Sequence, residues 1–459
     1  MATAIRDSVR PQWPEVPLGR FLAPRTKSVN PKASPDRRFE LYSVPSFDTG
    51  QPEVVRGGDV GSSKQAVAPG DVLLCKINPR INRVWIVGDS TEHEQIGSTE
   101  WIRFPRHHDA IPGYLAYYLQ LERVRAHLAH NASGVGGSLM RVKGSTISNE
   151  LMPLPHVDVQ SRVVARIDEL FTELDDGEEE LRRARAELET YRKSLLKAAV
   201  TGELTSNWRA ANPPKESGAD LLRRILDDRR ARWEANPRNK GKRYNEPAAP
   251  DLRGRPDLPP SWAWARVEQL AIVDSGATPS GIEAASRDGG EVPWFKVSSM
   301  SLEGNEDHLR HSKWWLTRTQ ALSAGLRIFP AGSIVFPKLG GALLTNKRRI
   351  LGLDGCLDLN NMAVTAIEPA ARYIRDLFSE IDLAALSDGS VVPQLKRDAV
   401  ENITIGLPGE QELKVLTAAI EDGLMAANDM LKVVRDKAAA AADLRQSILA
   451  AAFRGELIQ

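Results

Sequence analysis

Apolar and small residues recur in alternating steps of four and three along the stretch from Gln160 to Leu204. This spacing is the heptad pattern of a helix whose seam faces a partner helix. One register of the seam consists of Ile167, Leu174, Leu181, Leu188 and Leu195, and the other of Val163, Leu170, Gly177, Ala184, Tyr191 and Ala198. The pattern therefore predicts a long helix with a helical partner.

The end of the chain carries the same pattern in altered form, 253 residues later. Its seam positions are Ile420, Ala427, Val434, Ala441 and Ile448 in one register and Leu416, Gly423, Met430, Lys437, Leu444 and Ala451 in the other. The segments that follow the two predicted helices also match, because Gly202-Glu203-Leu204 corresponds to Gly455-Glu456-Leu457. Large residues on the first seam and many small ones on the second predict that the two helices pack on each other.

The segment before the first long helix has the pattern of a small mixed domain. Short apolar runs predict strands at 72–77, 84–87 and 101–104. A helix is predicted from Pro112 to about His130, with proline in its first turn. The following loop, Ala132 to Ser138, is rich in glycine and serine, and its backbone N–H groups are able to cradle a phosphate.

The segment before the second long helix repeats these landmarks. Residues 69–76 correspond to 331–338 at an offset of 262, and Lys143 through Pro155 corresponds to Lys396 through Pro408 at an offset of 253. The stretches between these matches differ. A shared framework with divergent loops is the pattern expected of two recognition domains with different targets.

A connector of different composition joins the two halves. It is predicted to contain an amphipathic helix that begins at Ser217 or Gly218 and carries Trp233 near its end. The basic stretch from Pro237 to Arg243 follows. Two interpretations stay open for this stretch, a solvated linker or a contact with a phosphate backbone.

These patterns predict an α+β chain: two α/β-type globular domains joined by two long antiparallel coiled-coil helices, with an internal pseudo-twofold repeat. The predicted segments are a first globular domain at 1–157, a central helix at 158–204, a connector at 205–260, a second globular domain at 261–409 and a C-terminal helix at 410–459.

Composition agrees with a soluble chain of several domains. With 459 residues the chain is longer than one domain with a single hydrophobic core usually is. Of its residues, 42% are hydrophobic and 26% are charged. The net charge of +1 hides local differences: +4 over 1–157, −4 over 158–204 and +5 over 205–260. Any binding of DNA must therefore depend on locally placed cations. We expect no membrane span and no secretory signal, because no long apolar run is present and Met1 to Arg10 lacks an apolar core.

The sequence contains no recognisable catalytic arrangement. Asn212-Pro213-Pro214-Lys215 has lysine where the base-stacking aromatic residue of an amino-methyltransferase would stand. The histidine pairs lack the companions of a zinc site, so no metal is expected. Cys75 and Cys356 lie far apart and are predicted to be free thiols in a reducing cytoplasm.

The duplicated helix with its Gly-Glu-Leu exit closely resembles the specificity subunit of type I restriction–modification systems. The connector from Leu204 to Arg209, the run from Leu258 to Trp264 and the run from Val292 to Val297 are also similar to that family. The resemblance covers nearly the whole chain, and its most specific part is the duplicated helix.

The resemblance implies a non-catalytic, cytoplasmic bacterial or archaeal protein. Each globular segment would be a target recognition domain that reads one half of a split, asymmetric site in double-stranded DNA. The helices would act as a spacer and dock two methylation subunits. S-adenosylmethionine, ATP and magnesium would be bound by the methylation subunits and by motor–nuclease restriction subunits, and this chain would need no cofactor.

Residue type and predicted loop position suggest the DNA contacts. Arginine suits guanine, asparagine and glutamine suit adenine, and lysine and serine more often hold phosphate. The candidates in the first domain are Lys76, Asn78, Arg80, Asn82, Arg83, Ser133, Ser138, Arg141 and Lys143. Those in the second domain are Lys296, Ser298, Lys338, Asn346, Lys347, Arg348, Arg349, Gln394 and Lys396.

Two other hypotheses compete with DNA recognition. The near-neutral globular segments leave room for a coiled-coil scaffold that binds proteins, which would show no salt-sensitive binding to DNA. A nuclease or methyltransferase would modify DNA as a purified chain.

Overall fold

The computed structural model describes residues 13–23, 27–89, 92–134, 140–235, 239–286 and 289–458. The chain divides into two compact units, the first Met1–Ala184 together with Val434–Gln459 and the second Arg185–Val433. Both units combine sheets and helices, as the sequence predicts. In the described residues no helix has the length and apolar character needed to cross a bilayer.

In its described residues, the first unit contains three small sheets and two short α-helices besides its parts of the long helices. Its elements are β1 (Glu15–Pro17), β2 (Ser28–Val29), β3 (Arg38–Tyr42), β4 (Glu53–Arg56), β5 (Lys64–Ala66), β6 (Val72–Cys75), β7 (Val84–Ile86), β8 (Glu94–Gly97), β9 (Trp101–Phe104), α1 (Pro112–Leu119), α2 (Glu122–His130), β10 (Leu151–Pro153) and the beginning of α3 (Val157–Thr201). The sheet orders are β2-β5-β8-β3-β4, β7-β6-β9 and the antiparallel pair β1-β10.

The second unit has sheets of the same sizes. Its elements after α3 are α4 (Ser206–Ala211), α5 (Gly218–Ala235), β11 (Ala263–Arg266), α6 (Val267–Leu270), β12 (Ala271–Ser275), β13 (Val292–Phe295), β14 (His308–Leu309), β15 (Trp315–Leu316), α7 (Arg318–Ser323), β16 (Ile334–Pro337), α8 (Gly340–Leu344), β17 (Arg349–Leu351), β18 (Cys356–Leu357), β19 (Asn361–Ala366), α9 (Ala371–Glu380), α10 (Arg397–Glu401), β20 (Thr404–Leu407) and the beginning of α11 (Glu410–Phe453). The sheet orders are β12-β19-β16-β17-β14, β15-β13-β18 and the antiparallel pair β11-β20.

The two long helices end in the same hydrogen-bonded turn. After α3, Gly202 adopts a positive φ of 78°, and Glu203 N–H donates to the carbonyl of Ala198 at 2.9 Å. After α11, Gly455 has a φ of 76°, and Glu456 N–H donates to the carbonyl of Ala451 at 3.0 Å. This is the Schellman termination, in which glycine accepts the left-handed conformation without steric cost. The repeated Gly-Glu-Leu sequence therefore encodes a helix stop.

In the first unit, α3 and α11 run in opposite directions. Arg445 of α11 bonds to Asp175 of α3 at 2.5 Å. Two turns further along α11, Phe453 packs on Tyr114 of α1 with ring centroids 4.8 Å apart, beside the start of α3. Val163 and Ile167 of α3 are buried in the same core.

The second unit shows the opposite ends of the same helices. A side chain at Gly423 of α11 would meet Leu195 of α3, since an added Cβ would lie 2.7 Å from its Cδ2. Ten residues beyond Leu195, Thr205 donates its hydroxyl to Glu412 at 2.7 Å. Here too the later part of α3 meets the earlier part of α11, and the small residue predicted on the second seam permits the close approach.

A buried tyrosine anchors the strand that precedes each long helix. Tyr114 of α1 donates its hydroxyl to the carbonyl of Pro153 at 2.8 Å. In the second unit, Tyr373 of α9 donates to the carbonyl of Gly406 at 2.9 Å. Pro153 and Gly406 are 253 residues apart, the offset found in the sequence. Burial raises the pKa of both phenols, so they remain protonated donors.

The prediction of a single helix from Pro112 to His130 is wrong. The chain forms α1 and α2, because Leu121 has extended backbone angles of φ −58° and ψ 138° between them. Leu121 is buried, so the interruption places an apolar side chain in the core. An apolar residue at the break gives no sequence signal comparable to glycine or proline. The predicted strands 72–77, 84–87 and 101–104 are present as β6, β7 and β9, and α5 begins at Gly218.

Candidate nucleic-acid interface

In the first unit, two distant segments pair beyond the end of strand β6. Val142 N–H donates to the carbonyl of Lys76 at 3.0 Å, and Asn78 N–H donates to the carbonyl of Met140 at 2.9 Å. Ile77 and Arg141 form the antiparallel bridge between them. We call this arrangement, residues 76–78 paired with 140–142, the first clamp. It brings the candidates Lys76, Asn78 and Arg141 together.

Two groups on the turn before β9 position the cations of the first clamp. The ammonium of Lys76 donates to the carbonyl of Thr99 at 2.6 Å. The guanidinium of Arg141 pairs with Glu100 at 3.0 Å and stays 58% exposed. Sequence reasoning missed both partners, since nothing in the sequence connects this turn with residues 76 or 141. Arg141 is thus oriented at the surface with donor groups still accessible.

The loop that begins at the end of the first clamp contains two asparagines with positive φ, 48° at Asn78 and 52° at Asn82. Asparagine tolerates this conformation better than most residues. The amide of Asn82 donates to the carbonyl of Leu119 at 3.0 Å, which fixes the loop to the end of α1. Arg80 between them is exposed. The loop borders a cavity of about 320 Å³, so Arg80 projects from a defined edge.

The remaining candidates of the first unit differ in accessibility. Arg83 is 16% exposed and lies 3.6 Å from Asp48. Ser133 is joined to Arg141 by two main-chain hydrogen bonds of 2.9 Å, so it lies at the first clamp. Lys143 is exposed beside it. Ser138 lies outside the described residues.

The second unit contains an equivalent arrangement after strand β16. Leu395 N–H donates to the carbonyl of Lys338 at 2.9 Å, and Gly340 N–H donates to the carbonyl of Pro393 at 2.8 Å. Leu339 and Gln394 form the bridge. This second clamp, residues 338–340 paired with 393–395, matches the first position by position at the offsets of 262 and 253.

The second clamp presents different side chains. Gln394 occupies the position of Arg141, and its side chain is exposed. The ammonium of Lys338 donates to the hydroxyl of Ser275 at 3.0 Å. Lys396 is exposed next to the clamp. The candidates Lys338, Gln394 and Lys396 are thus brought together.

Lys296 lies between aromatic rings. Its ammonium is 4.8 Å from the ring centroid of Trp314 and 5.8 Å from that of Trp294, and it pairs with Glu283 at 2.7 Å. These cation–π and ionic contacts hold the side chain in place. Ser298, two residues later, is exposed.

Two of the candidate arginines bind main-chain carbonyls. Arg348 donates to the carbonyl of Ile381 at 2.8 Å, and burial lowers its pKa. Arg349 donates to the carbonyl of Asn305 at 2.5 Å. Asn346 accepts from Leu383 N–H at 3.0 Å. These contacts order the loop before β17 and the start of that strand, and a contact of these residues with DNA stays a prediction. Lys347 is exposed, with a long 3.4 Å contact to Ser301.

In the part of the chain that the structure describes, one group of possible metal ligands is found, and it lies in the first unit. One ligand atom each of His107, His108 and Asp109 lies within 4.8 Å of the others. The Asp109 carboxylate already bonds to the guanidinium of Arg20, and the ring of His107 packs edge-on against Phe21 at 5.1 Å. An arginine at the carboxylate neutralises the charge that would attract a cation, so this group is better explained by packing and ion pairing.

Comparison with known proteins identifies relatives of one kind. The chain is 26% identical over 184 residues to the specificity subunit of the type I restriction enzyme EcoKI of Escherichia coli K12, a match that covers 39% of each chain. It is 22% identical over 338 residues to the EcoDI specificity subunit of Escherichia coli, covering 71% of this chain and 66% of that one. The first of these matches spans about two fifths of the relative's length. No family model matches the chain.

Solved structures show the same fold. A chain from a structure of a type I restriction–modification system, solved to explain its assembly and conformational transition, superposes with a TM-score of 0.68 at 18% identity over 97% of this chain and 98% of that one. The HsdS subunit of Thermoanaerobacter tengcongensis gives 0.51 at 19% identity over 99% and 100%. In sequence and in fold, the chain is thus a relative of the specificity subunits of type I restriction enzymes.

Proposed function

We propose that this chain is the DNA-recognition subunit of a type I restriction–modification complex, and that each unit reads one half of a bipartite, asymmetric DNA site. The observation that carries the proposal is the pair of clamps. Both have the same main-chain hydrogen bonds, yet Arg141 stands in one where Gln394 stands in the other. A shared frame with different recognition groups suits two modules that read different sequences.

The chemistry of the clamps fits base and phosphate contacts. Arginine presents a planar fork to guanine, and glutamine presents a donor and an acceptor to adenine. The nearby Lys143 and Lys396 are exposed and suit phosphate contacts, which set register without reading sequence. Because the net charge of the chain is only +1, such local placement matters more than the total charge.

The long helices suit the role of a spacer. Helix α3 has 45 residues, which corresponds to about 68 Å at about 1.5 Å per residue. We propose that α3 and α11 form an antiparallel coiled coil, that the two halves of the chain are related by a pseudo-twofold repeat, and that the outer faces dock two methylation subunits. Of the acidic residues Glu178, Glu179 and Glu180 of α3, the exposed Glu180 is the best candidate for that contact, whereas the Glu178 carboxylate lies 3.6 Å from Arg445 of α11.

On this proposal the chain is not an enzyme. S-adenosylmethionine would be bound by the methylation subunits, and ATP and magnesium by motor–nuclease restriction subunits. The complex would act in the cytoplasm, and two unpaired cysteines, Cys75 and Cys356, suit that reducing compartment.

Co-expression of the chain with a methylation subunit, followed by mapping of methylated bases, tests the proposal. The expected motif has two specific parts separated by a gap. Replacing residues 1–157 with those of a relative should change one part and leave the other. A continuous motif, or a motif that persists without this chain, would refute the proposal.

A further inference from the structure

The second unit contains a large basic cavity apart from the clamps. It lies between the connector, strand β12 and the loop after α7, and has a volume of about 930 Å³. Among the described residues, seven arginine or lysine side chains line it, against one carboxylate, that of Asp274. Such an excess of one charge inside a concave surface raises the local potential and attracts anions.

Three of the cations stand free to meet a ligand. Among the described residues, no hydrogen bond or ion pair involves the side chain of Arg232, Lys242 or Arg243. In contrast, Asp274 neutralises part of the charge of Arg327 and Arg397, which both approach its carboxylate. The unbalanced charge is therefore concentrated on the connector side of the cavity.

The connector wall is ordered by contacts of its own. Trp233 of α5 packs against Tyr244 with ring centroids 5.3 Å apart. Asn239 donates its amide to the carbonyl of Trp233 at 2.9 Å, and Lys242 N–H donates to the carbonyl of Asn239 at 2.9 Å. These contacts fix the turn that carries Lys242 and Arg243 over the cavity. The turn that carries these cations is therefore ordered beside the cavity.

The cavity borders the second clamp. Arg397 lines the cavity and follows Lys396. Asp274 lines it and precedes Ser275, which accepts the hydrogen bond from the clamp residue Lys338. Consecutive Cα atoms are about 3.8 Å apart. The cavity and the second clamp are therefore close along the chain, on strand β12 and on the segment that ends at Arg397.

We infer that this cavity is a sequence-independent phosphate site that holds the DNA backbone beside the half-site read by the second clamp. The ligand chemistry is the phosphate oxyanion. Continuity with the clamp favours phosphodiesters of duplex DNA over a free nucleotide. The inference rests on the proposed function for its biological setting, but not for its test.

The salt dependence of DNA binding by the full-length chain provides the test. The variant Lys242→Gln/Arg243→Gln removes two exposed cations from a surface turn. Because each lost phosphate contact reduces the magnitude of the negative slope of log K against log salt by about 0.9, the magnitude of the slope should fall by about 1.8. The change should be equal on duplexes with and without the methylation motif, and the motif mapped in the complex should be unchanged.

A matched control removes the same charge elsewhere in the unit. Lys215 and Lys432 are exposed and do not line the cavity, so Lys215→Gln/Lys432→Gln should keep the parental slope. A parental slope for the cavity variant, or an equal fall for the control, would overturn the inference. If the methylated motif depends on the chain but the cavity variant keeps the parental slope, the proposed function stands and only the cavity inference is refuted. If the parental chain specifies no motif but the cavity variant shows a smaller slope on random duplex DNA, the cavity inference stands and the proposed function is refuted.

Inorganic tripolyphosphate distinguishes the source of the phosphate. Its binding is followed by the fluorescence of the full-length chain, where Trp233 reports from the cavity wall. If tripolyphosphate binds the parental chain and not the cavity variant, while both chains show the same salt slope for DNA binding, the cavity is a site for free polyphosphates and the DNA assignment is overturned. Competition between tripolyphosphate and random duplex DNA at the parental cavity would support it.

Discussion

Arg209 and Glu412 form an ion pair at 2.6 Å that joins the segment after α3 to the first turn of α11. Glu412 is 4% exposed and also accepts the hydroxyl of Thr205 at 2.7 Å, while Arg209 donates to the carbonyl of Gly202 at 2.8 Å. The pair therefore connects the stop of the first long helix with the start of the second within one unit.

Removing the Glu412 charge should destabilise the second unit. Glu412→Gln keeps the shape but leaves Arg209, which is 19% exposed, without its counter-charge, and loss of one partner of a buried pair costs about 3 kcal/mol. Urea unfolding measures the change. The control Glu421→Gln breaks an exposed pair with Arg372 and should cost less than about 1 kcal/mol. Equal effects of the two variants would contradict the assignment.

The long helices could be predicted well from sequence because their signals are local. The heptad steps and the glycines 202 and 455 determine helix and stop within a few residues. The Arg209–Glu412 pair could not be predicted, since it joins positions 203 residues apart. Its partners become neighbours only when the second unit is folded, and neither residue type nor spacing marks them.

Gly406 should not tolerate a side chain. An added Cβ would lie 2.2 Å from the carbonyl oxygen of Val200 in α3, a backbone atom that cannot turn aside. Overpacking of this kind costs about 1–3 kcal/mol, so Gly406→Ala should lower the free energy of unfolding by that amount or more. At Gly61 nothing lies within 4 Å of an added Cβ, and Gly61→Ala should be neutral or slightly stabilising. Thermal unfolding of both variants checks the comparison.

If Arg141 and Gln394 are the base readers that we propose, exchanging either one should alter one half of the methylated motif. Gln394→Arg places a guanine-preferring fork on the second clamp, so one adenine-selective position should shift toward guanine by about 1–3 kcal/mol. Arg141→Gln should change the other half in the opposite sense. Motif mapping of each variant in complex with the methylation subunit measures this. A change in both halves, or in neither, would argue against the clamps as readers.

For the clamps, the candidate residues could be predicted from sequence, but the pairing of their segments could not. Residue type singled out Lys76, Arg141 and Gln394, and the repeat offsets predicted that the two halves correspond. Residues 76–78 pair with 140–142 through main-chain hydrogen bonds. Because the two segments are far apart in sequence, no local pattern predicts this pairing. The same limitation applies to the arginines 348 and 349, whose binding to main-chain carbonyls depends on loops far away in sequence.

Asp376 should make the second unit more stable in mild acid than at neutral pH. Burial raises the pKa of this carboxyl to about 6, against the opposing charges of Arg375 and Arg372. A raised carboxyl pKa means that the folded state retains the proton, so the stabilisation is complete below pH 4 and is lost as pH rises through about 6. Because the group is partly solvated, we expect about 1–2 kcal/mol. Asp376→Asn should remove this dependence, and unfolding at pH 4.5 and 7.5 measures it.

The two cysteines should be protected from thiol reagents while their own units are folded. Cys75 lies in the first unit and Cys356 in the second, at 2% and 0% exposure, and burial raises the pKa of Cys356 to about 12 and also raises that of Cys75. The thiolate is the reactive form, so burial and a raised pKa both suppress reaction. With a chromogenic disulfide reagent at pH 7.5, we expect no immediate labelling of either cysteine in the native chain. In denaturant, both cysteines should be labelled rapidly.

The same thiols allow the opening of each unit to be measured separately. With Cys75→Ser the labelling rate reports only the second unit, and with Cys356→Ser only the first. At low denaturant the rates follow the free energies of local opening, so Glu412→Gln should accelerate labelling of Cys356 and leave that of Cys75 unchanged. Equal acceleration of both would mean that the two units open together, and immediate labelling of either residue in the native chain would contradict its burial.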